Sequence, residues 1–260
     1  PLEQNIELTR EVVKYAHARG VSVEGELGVL GGQEDHVFAA TSTYTNPLDA
    51  VKFIQQTGVD ALAISYGTQH GANKGKDAKL RREIPIAIKE CINRLGIFCA
   101  LVSHGSSTVP QYIVNEINAL GGNIQNAYGI SKEELKAAIP CGIGKINVDT
   151  DIRLAVTRNF RELFRDHPEL KEDARVGGVW KLLDEKRDAF DPRAFLAPIM
   201  DTVMYGTGDE GAVALITDAM RRGVKEAVGT LIVEFGSYGK APLVEPATLE
   251  DMAARYAKEG

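Results

Sequence analysis

Three cysteines in 260 residues, Cys91, Cys99 and Cys141, are an odd number without CxxC spacing, which excludes a disulfide framework. They read as reduced, mostly buried thiols of a cytoplasmic protein. No apolar run approaches the ~18 residues that cross a bilayer, so no membrane span is expected. No basic cluster stands out either. Thirty Lys and Arg against 36 Asp and Glu leave a net charge of −6, with the cations spread along helix-like segments, and this speaks against nucleic-acid binding. Low-complexity tracts are missing, and no GxGxxG opens a helix after a strand, which disfavours a dinucleotide-binding fold. The chain also starts without methionine or leader, already in the helical stretch PLEQNIELTREVVKYAHARG, and we expect that this is not a native start.

What is present is ordinary globular material, 44% hydrophobic and 25% charged, enough for one barrel-sized domain or two modest ones. In the first helix Ile6, Val13 and His17 share a stripe with Val12 and Ala16 beside it, and Gly20 ends it. VSVEGELG (21–28) alternates Val21, Val23 and Leu27 against Ser22, Glu24 and Glu26, the period of a strand. A glycine-rich polar loop (29–45) and a helix opening at Asn46-Pro47 and stopping at Gly58 follow. Strands are predicted at 59–71, 97–107 and 142–150, and helices at 78–95, 109–120, 131–140 and from about Asp151. Strand followed by helix, four times over, predicts βα units and a parallel sheet. From 151 to 260 the pattern is helical throughout, interrupted at Pro168 and at Asp191-Pro192. We therefore expect residues 1–150 to form the C-terminal half of a barrel, and 151–260 to supply its last helix and a helical extension of the same domain. Such extensions often pack subunits together, so a homodimer or homotetramer is expected.

Chemistry concentrates at the carboxyl ends of the predicted strands, where parallel α/β folds place their sites. His70 and His104 each sit just past an apolar strand and just before glycine, in HGA and HGS. One such histidine is most often a plain loop residue. Two on neighbouring strands, roughly 4.8 Å apart, can converge on one ion. In GIGKINVDT, Lys145, Asn147 and Asp149 alternate with Ile146 and Val148. They are either a salt-bridged cluster or hydrogen-bonding groups for a polyhydroxylated substrate. HGANKG, HGSST and the helix start at Thr150 together offer backbone N–H groups to a phosphate. Glu34 and Asp35, in a glycine-flanked loop, fit an acid-bearing lid or an ordinary acidic surface loop.

In order, VEGELG…GGQED, YGTQHGANKG, LVSHGSSTVPQ and KINVDTDIRLA, with FDPRAFL and FGSYGKA behind them, resemble the class II (zinc-dependent) fructose-bisphosphate aldolases over essentially the whole chain. The resemblance implies a (β/α)₈ TIM barrel of which this chain supplies about the last four βα units. It also implies reversible cleavage of fructose 1,6-bisphosphate into dihydroxyacetone phosphate and glyceraldehyde 3-phosphate, a step of glycolysis and gluconeogenesis. By matching positions, His70 and His104 would bind zinc with Glu24 beside them. Gly71, Gly105, Ser106, Ser107, Asn147, Asp149 and Thr150 would hold the substrate and its phosphate. Lys74 would lie near a monovalent cation (Na⁺ or K⁺), and Glu34 would handle the proton on the substrate's own carbon. The family's remaining zinc histidine and catalytic aspartate belong to an Asp-His-Gly segment. This sequence has none, only Asp35-His36-Val37 and Asp166-His167-Pro168. The resemblance therefore implies a chain opening at the fourth barrel helix. Other readings are a tagatose- or sedoheptulose-bisphosphate aldolase, or a non-catalytic phosphate-binding partial barrel. Lys145 reads as a salt-bridged interior lysine, Trp180 as packing, and His17 and His167 as surface or capping residues.

Overall fold

A computed structural model of the chain describes residues 1–34, 37–71, 74, 78–205 and 210–259; the side chains of residues 33, 34, 37, 38 and 259 lie outside that description. Asp35 and His36 likewise lie outside the described residues. Helix α1 spans Leu2–His17, strand β1 Glu24–Leu27, β2 Gly32–Glu34, β3 Val37–Ala39, helix α2 Pro47–Thr57, strand β4 Ala61–Ile64 and helix α3 Glu83–Arg94. Strand β5 (Ala100–Ser103), helices α4 (Gln111–Ala119) and α5 (Lys132–Ala138), strand β6 (Ile143–Ile146) and helix α6 (Thr150–Asp166) complete the βα succession. Helices α7 (Gly177–Glu185), α8 (Arg193–Leu196), α9 (Met200–Met204), α10 (Gly211–Glu234) and α11 (Leu249–Glu259) form the tail.

Four of the strands make one parallel sheet in the order β1-β4-β5-β6. Each strand lies beside its predecessor in that set, the winding of a barrel arc; a doubly wound sheet would reverse its order midway. Leu62, Ala63, Ile64, Leu101 and Val102 are essentially inaccessible to solvent, as strands covered on both faces require. One core joins these strands to Phe53 and Ile54 of α2 and Ile88 and Ile92 of α3. Each such side chain contributes about 1.5–3 kcal/mol on burial. A second core lies between α6, α7, α8 and α10, and a third between α4 and the start of α6. Among the described residues β1 and β6 are each paired on one side only.

The local signals explain where elements start and stop. Asn46 accepts a hydrogen bond from the Leu48 N–H, Pro47 opens α2, and Gly58 closes it at φ 72°. The strands are shorter than their apolar runs, four residues each, and the remainder of each run turns into the loops that carry His70 and His104. The expected loop 29–45 holds the antiparallel hairpin β2-β3, with Gln33 opposite Phe38. Three-residue strands are too short for alternation to announce them. On α1, Ile6 and Val13 are buried as expected, but Val12 is 55% exposed. His17 is no surface residue: its Nε2 meets Asp60 at 2.9 Å and its ring stacks on Tyr256 of α11 at 3.7 Å. His167 stays at the surface beside Glu169, and Trp180 packs against Phe164, as expected of both. Among the described residues no helix is long and apolar enough to cross a membrane.

Candidate active site

A cleft of about 1240 Å³ opens at the carboxyl ends of the strands. Its lining includes His70, Gly71, Lys74, His104, Gly105, Ser107, Asn147, Asp149 and Thr150, gathered from three separate strand-to-helix connections. The connections interlock by backbone contact. A Cβ on Gly105 (φ 60°) would stand 2.5 Å from the Gln69 carbonyl oxygen, and one on Gly32 (φ 103°) would stand 2.3 Å from that of His70. The His70 segment is thus wedged between the Gly32 and Gly105 loops, and its N–H donates to the Gly31 carbonyl at 2.9 Å. Side chains at either glycine would push the histidine loop away.

His104 is clamped by two carboxylates of β1: Nε2 meets Glu24 Oε1 and Nδ1 meets Glu26 Oε2, both at 2.8 Å. Glu26, with Glu24 and against the opposing effect of burial, raises the His104 pKa. Burial works to raise Glu24, but Lys145, at 2.7 Å, and His104 outweigh it and hold its pKa below the ordinary carboxylate value. Lys145 is therefore salt-bridged as expected but not interior, its side chain being 53% exposed. Of the two carboxylates Glu26, not Glu24, lines the cleft. Its signal was in the sequence, two residues along the same alternating face of β1.

At the other side of His104 the hydroxyl residues divide. Ser106 is buried and does not line the cleft; its Oγ lies 2.7 Å from Ser103 Oγ, which lies 2.6 Å from the Tyr66 hydroxyl, and its N–H donates to the Asn147 carbonyl. Ser107 faces the cleft, and its Oγ accepts from the N–H groups of Asp149 (3.1 Å) and Thr150 (3.0 Å) at the start of α6. With both lone pairs so engaged, the hydroxyl can only donate. A donor at the positive end of a 17-residue helix suits an anionic oxygen. Lys74 is buried, and its ammonium donates to the Gly105 carbonyl. Burial pushes its pKa down to about 8.

The cleft continues past residues the sequence reading did not single out. Asp149 pairs with Arg153 at 2.6 Å, Arg153 with Asp191, and Asp191 with Arg193 at 2.8 Å, an alternating chain of charge along the lining. Burial raises the Asp191 pKa, but Arg193 and then Arg153 overcome it and keep the carboxyl below its usual value. The i,i+4 spacing of Asp149 and Arg153 on α6 and the FDPR motif were the available signals.

The donor types suit zinc: two imidazoles and a carboxylate line one cleft. Their arrangement does not complete a site, because among the described residues no three His, Cys, Asp or Glu are grouped to hold an ion. The Glu34 backbone belongs to β2, and its side chain is outside the described residues.

Compared with known proteins, residues 1–240 match the family model described as Fructose-bisphosphate aldolase class-II. The fructose-bisphosphate aldolase of Giardia intestinalis is 43% identical over 203 residues, covering 78% of this chain and 56% of that protein. The fructose-bisphosphate aldolase of a Nostoc species is 37% identical, covering 98% of this chain and 64% of the relative. The chain thus spans about three-fifths of the length of these relatives. Among solved structures, the YdjI aldolase of Escherichia coli K12 superposes with a TM-score of 0.54 at 24% identity, covering 93% of this chain and 59% of that one. The fructose-bisphosphate aldolase of Campylobacter jejuni gives 0.53 at 19% identity, covering 91% and 57%. At such identities the two structures speak for the shared fold alone.

Proposed function

Because the chain belongs to the class-II fructose-bisphosphate aldolase family, we propose that its cleft serves the reversible cleavage of fructose 1,6-bisphosphate into dihydroxyacetone phosphate and glyceraldehyde 3-phosphate. The observation that carries this reading is the meeting, in one cleft, of His70 and His104 with Ser107, whose Oγ accepts both N–H groups at the start of α6 and is left to donate its own proton.

In this reading Ser107 donates its hydroxyl proton to a phosphate oxygen, with the N-terminus of α6 behind it. Gly71 and Gly105 leave room for the phosphate to approach the backbone. Lys74 supplies positive charge beneath Gly105; binding of a dianion favours its protonated form. Asn147 and Asp149 face the hydroxyl-bearing carbons. Arg153 and Arg193 add charge for a second anionic group. His70 and His104 would hold zinc; Glu24 would give up the His104 Nε2 to the ion, and Glu26, on Nδ1, would orient the ring. Zinc bound there would supply Lewis-acid polarisation of the ketone carbonyl. Glu34 exchanges the proton on the carbon of dihydroxyacetone phosphate.

The test is release of triose phosphates from fructose 1,6-bisphosphate by the intact protein, with metal content measured alongside. His70→Ala and His104→Ala are each expected to lose metal and turnover together. Unchanged metal and turnover in both would overturn the ligand assignment, and absence of cleavage by the wild-type protein would overturn the activity.

A further inference from the structure

Below the cleft, outside its lining, sits a buried carboxylate that the reaction does not use. Asp151, in the first turn of α6, is 3% exposed. Its Oδ1 accepts from the N–H groups of Thr108 (2.8 Å) and Val109 (2.9 Å), and its Oδ2 accepts from the Thr108 hydroxyl (2.6 Å). The turn it grips is strained. Val109 is a buried β-branched residue at φ 49°, the left-handed region that such residues avoid. It is held from both sides, its N–H by Asp151 and its carbonyl by the Gln111 amide at 2.9 Å.

The same turn begins at Ser107, whose Oγ accepts the N–H groups of Asp149 and Thr150. Two segments therefore cap each other: Ser107 closes the start of α6, and Asp151 from that helix closes the turn that carries Ser107. The logic is that of a capping box, in which two sets of orphan donors are satisfied reciprocally, spread here over two distant stretches of chain. We propose that Asp151 is a positioning residue for anion binding, acting through Ser107. It keeps the Ser107 lone pairs on α6, so that the hydroxyl proton points into the cleft. Without it only the Gln111 amide still holds Val109, from the carbonyl side; the turn relaxes towards negative φ and Ser107 leaves the helix start.

This inference rests on the reading of the cleft as a phosphate site, and the experiment separates the two. Inorganic phosphate is titrated calorimetrically into the intact protein, with a chelator present so that only protein groups bind the anion. Asp151→Ala is expected to weaken binding about tenfold to a hundredfold, the scale of a lost charge-assisted hydrogen bond. Ser107→Ala should weaken it comparably, and the double variant no further than the worse single one, since both act through one hydroxyl. Asp151→Asn should stay within about threefold of wild type, because its Oδ1 still accepts both N–H groups and its Nδ2 reaches the Thr108 hydroxyl. Additive losses, or an Asn variant as weak as the Ala one, overturn the proposal. If Asp151→Ala does not fold, Thr108→Ala, which removes a single bond to Asp151, takes its place in the cycle with the same non-additivity expected. Full affinity in Asp151→Ala sinks the role of Asp151 alone; no phosphate binding by the wild-type protein sinks the cleft reading with it.

Discussion

Lys74 offers the sharpest test of how this cleft trades stability for binding. Its amine is buried, donates to the Gly105 carbonyl and titrates at about 8 instead of 10.5, chiefly through loss of water, with the Asp151 charge opposing the fall. Holding the amine charged at pH 7 therefore costs the folded state about 3 kcal/mol at most, at 1.36 kcal/mol per pH unit. The sign with pH is set by where each state releases its proton. Below about pH 8 both the folded and the unfolded chain carry it, and the whole cost stands. Between about 8 and 10.5 the folded chain has given it up while the unfolded chain still holds it, so stability rises with pH through this window.

Lys74→Met keeps the length and apolar stem of the side chain and removes both the charge and the bond to Gly105. That bond is worth about 1 kcal/mol, so the variant is expected to be about 2 kcal/mol more stable than wild type at pH 7, or several degrees in melting temperature. Chemical denaturation at pH 7.0 and 9.5 checks it. The advantage should shrink at the higher pH, because only wild type gains stability on the way up. In exchange, the variant should bind inorganic phosphate more weakly. A variant less stable than wild type at pH 7 would refute the reasoning, since the ammonium's contacts with Gly105 and Asp151 would then outweigh its burial.

Other substitutions test separate parts of the structure. Phe53→Ala empties a fully buried site between α2 and the sheet and should cost about 3–5 kcal/mol in denaturant unfolding. Asn46→Ala removes the cap of α2 and should cost about 1 kcal/mol, while Asn46→Asp should cost only a fraction of that. Gly105→Ala places a Cβ against the Gln69 carbonyl in a left-handed conformation; it should displace the His70 loop, lowering phosphate affinity and turnover together. Tyr256→Phe deletes the 2.8 Å bond to Asp60 beneath the sheet and should loosen α11, read as faster amide exchange over 249–259, with turnover unchanged.

How far the site could be read in the sequence depended on whether its geometry is local. His70 and His104 announced themselves because an apolar run ending in His-Gly places a side chain at a strand's carboxyl end whatever the rest of the chain does. Thr150 was legible as a helix start for the same reason. Ser106 and Ser107, adjacent and chemically identical, could not be told apart: one turns inward to Ser103, and the other caps α6 through a contact 43 residues away in sequence. Glu24 and Glu26 share a strand face and both meet His104, yet only Glu26 lines the cleft, a difference that alternation along β1 does not encode. Asp151, read simply as the start of a helix, and the Arg153, Asp191 and Arg193 chain acquire meaning through partners on other elements. These long-range pairings are also what relates the chemistry to the fold. The strands bring the histidines to one rim, while the mutual capping of the 107–109 turn and α6 turns a serine hydroxyl into an obligate donor. A cleft assembled this way is sensitive to residues that never touch its ligand. The variants that distinguish binding from mere stability should therefore lie one layer beneath the lining, at Asp151 and Thr108, and not only among the groups that face the substrate.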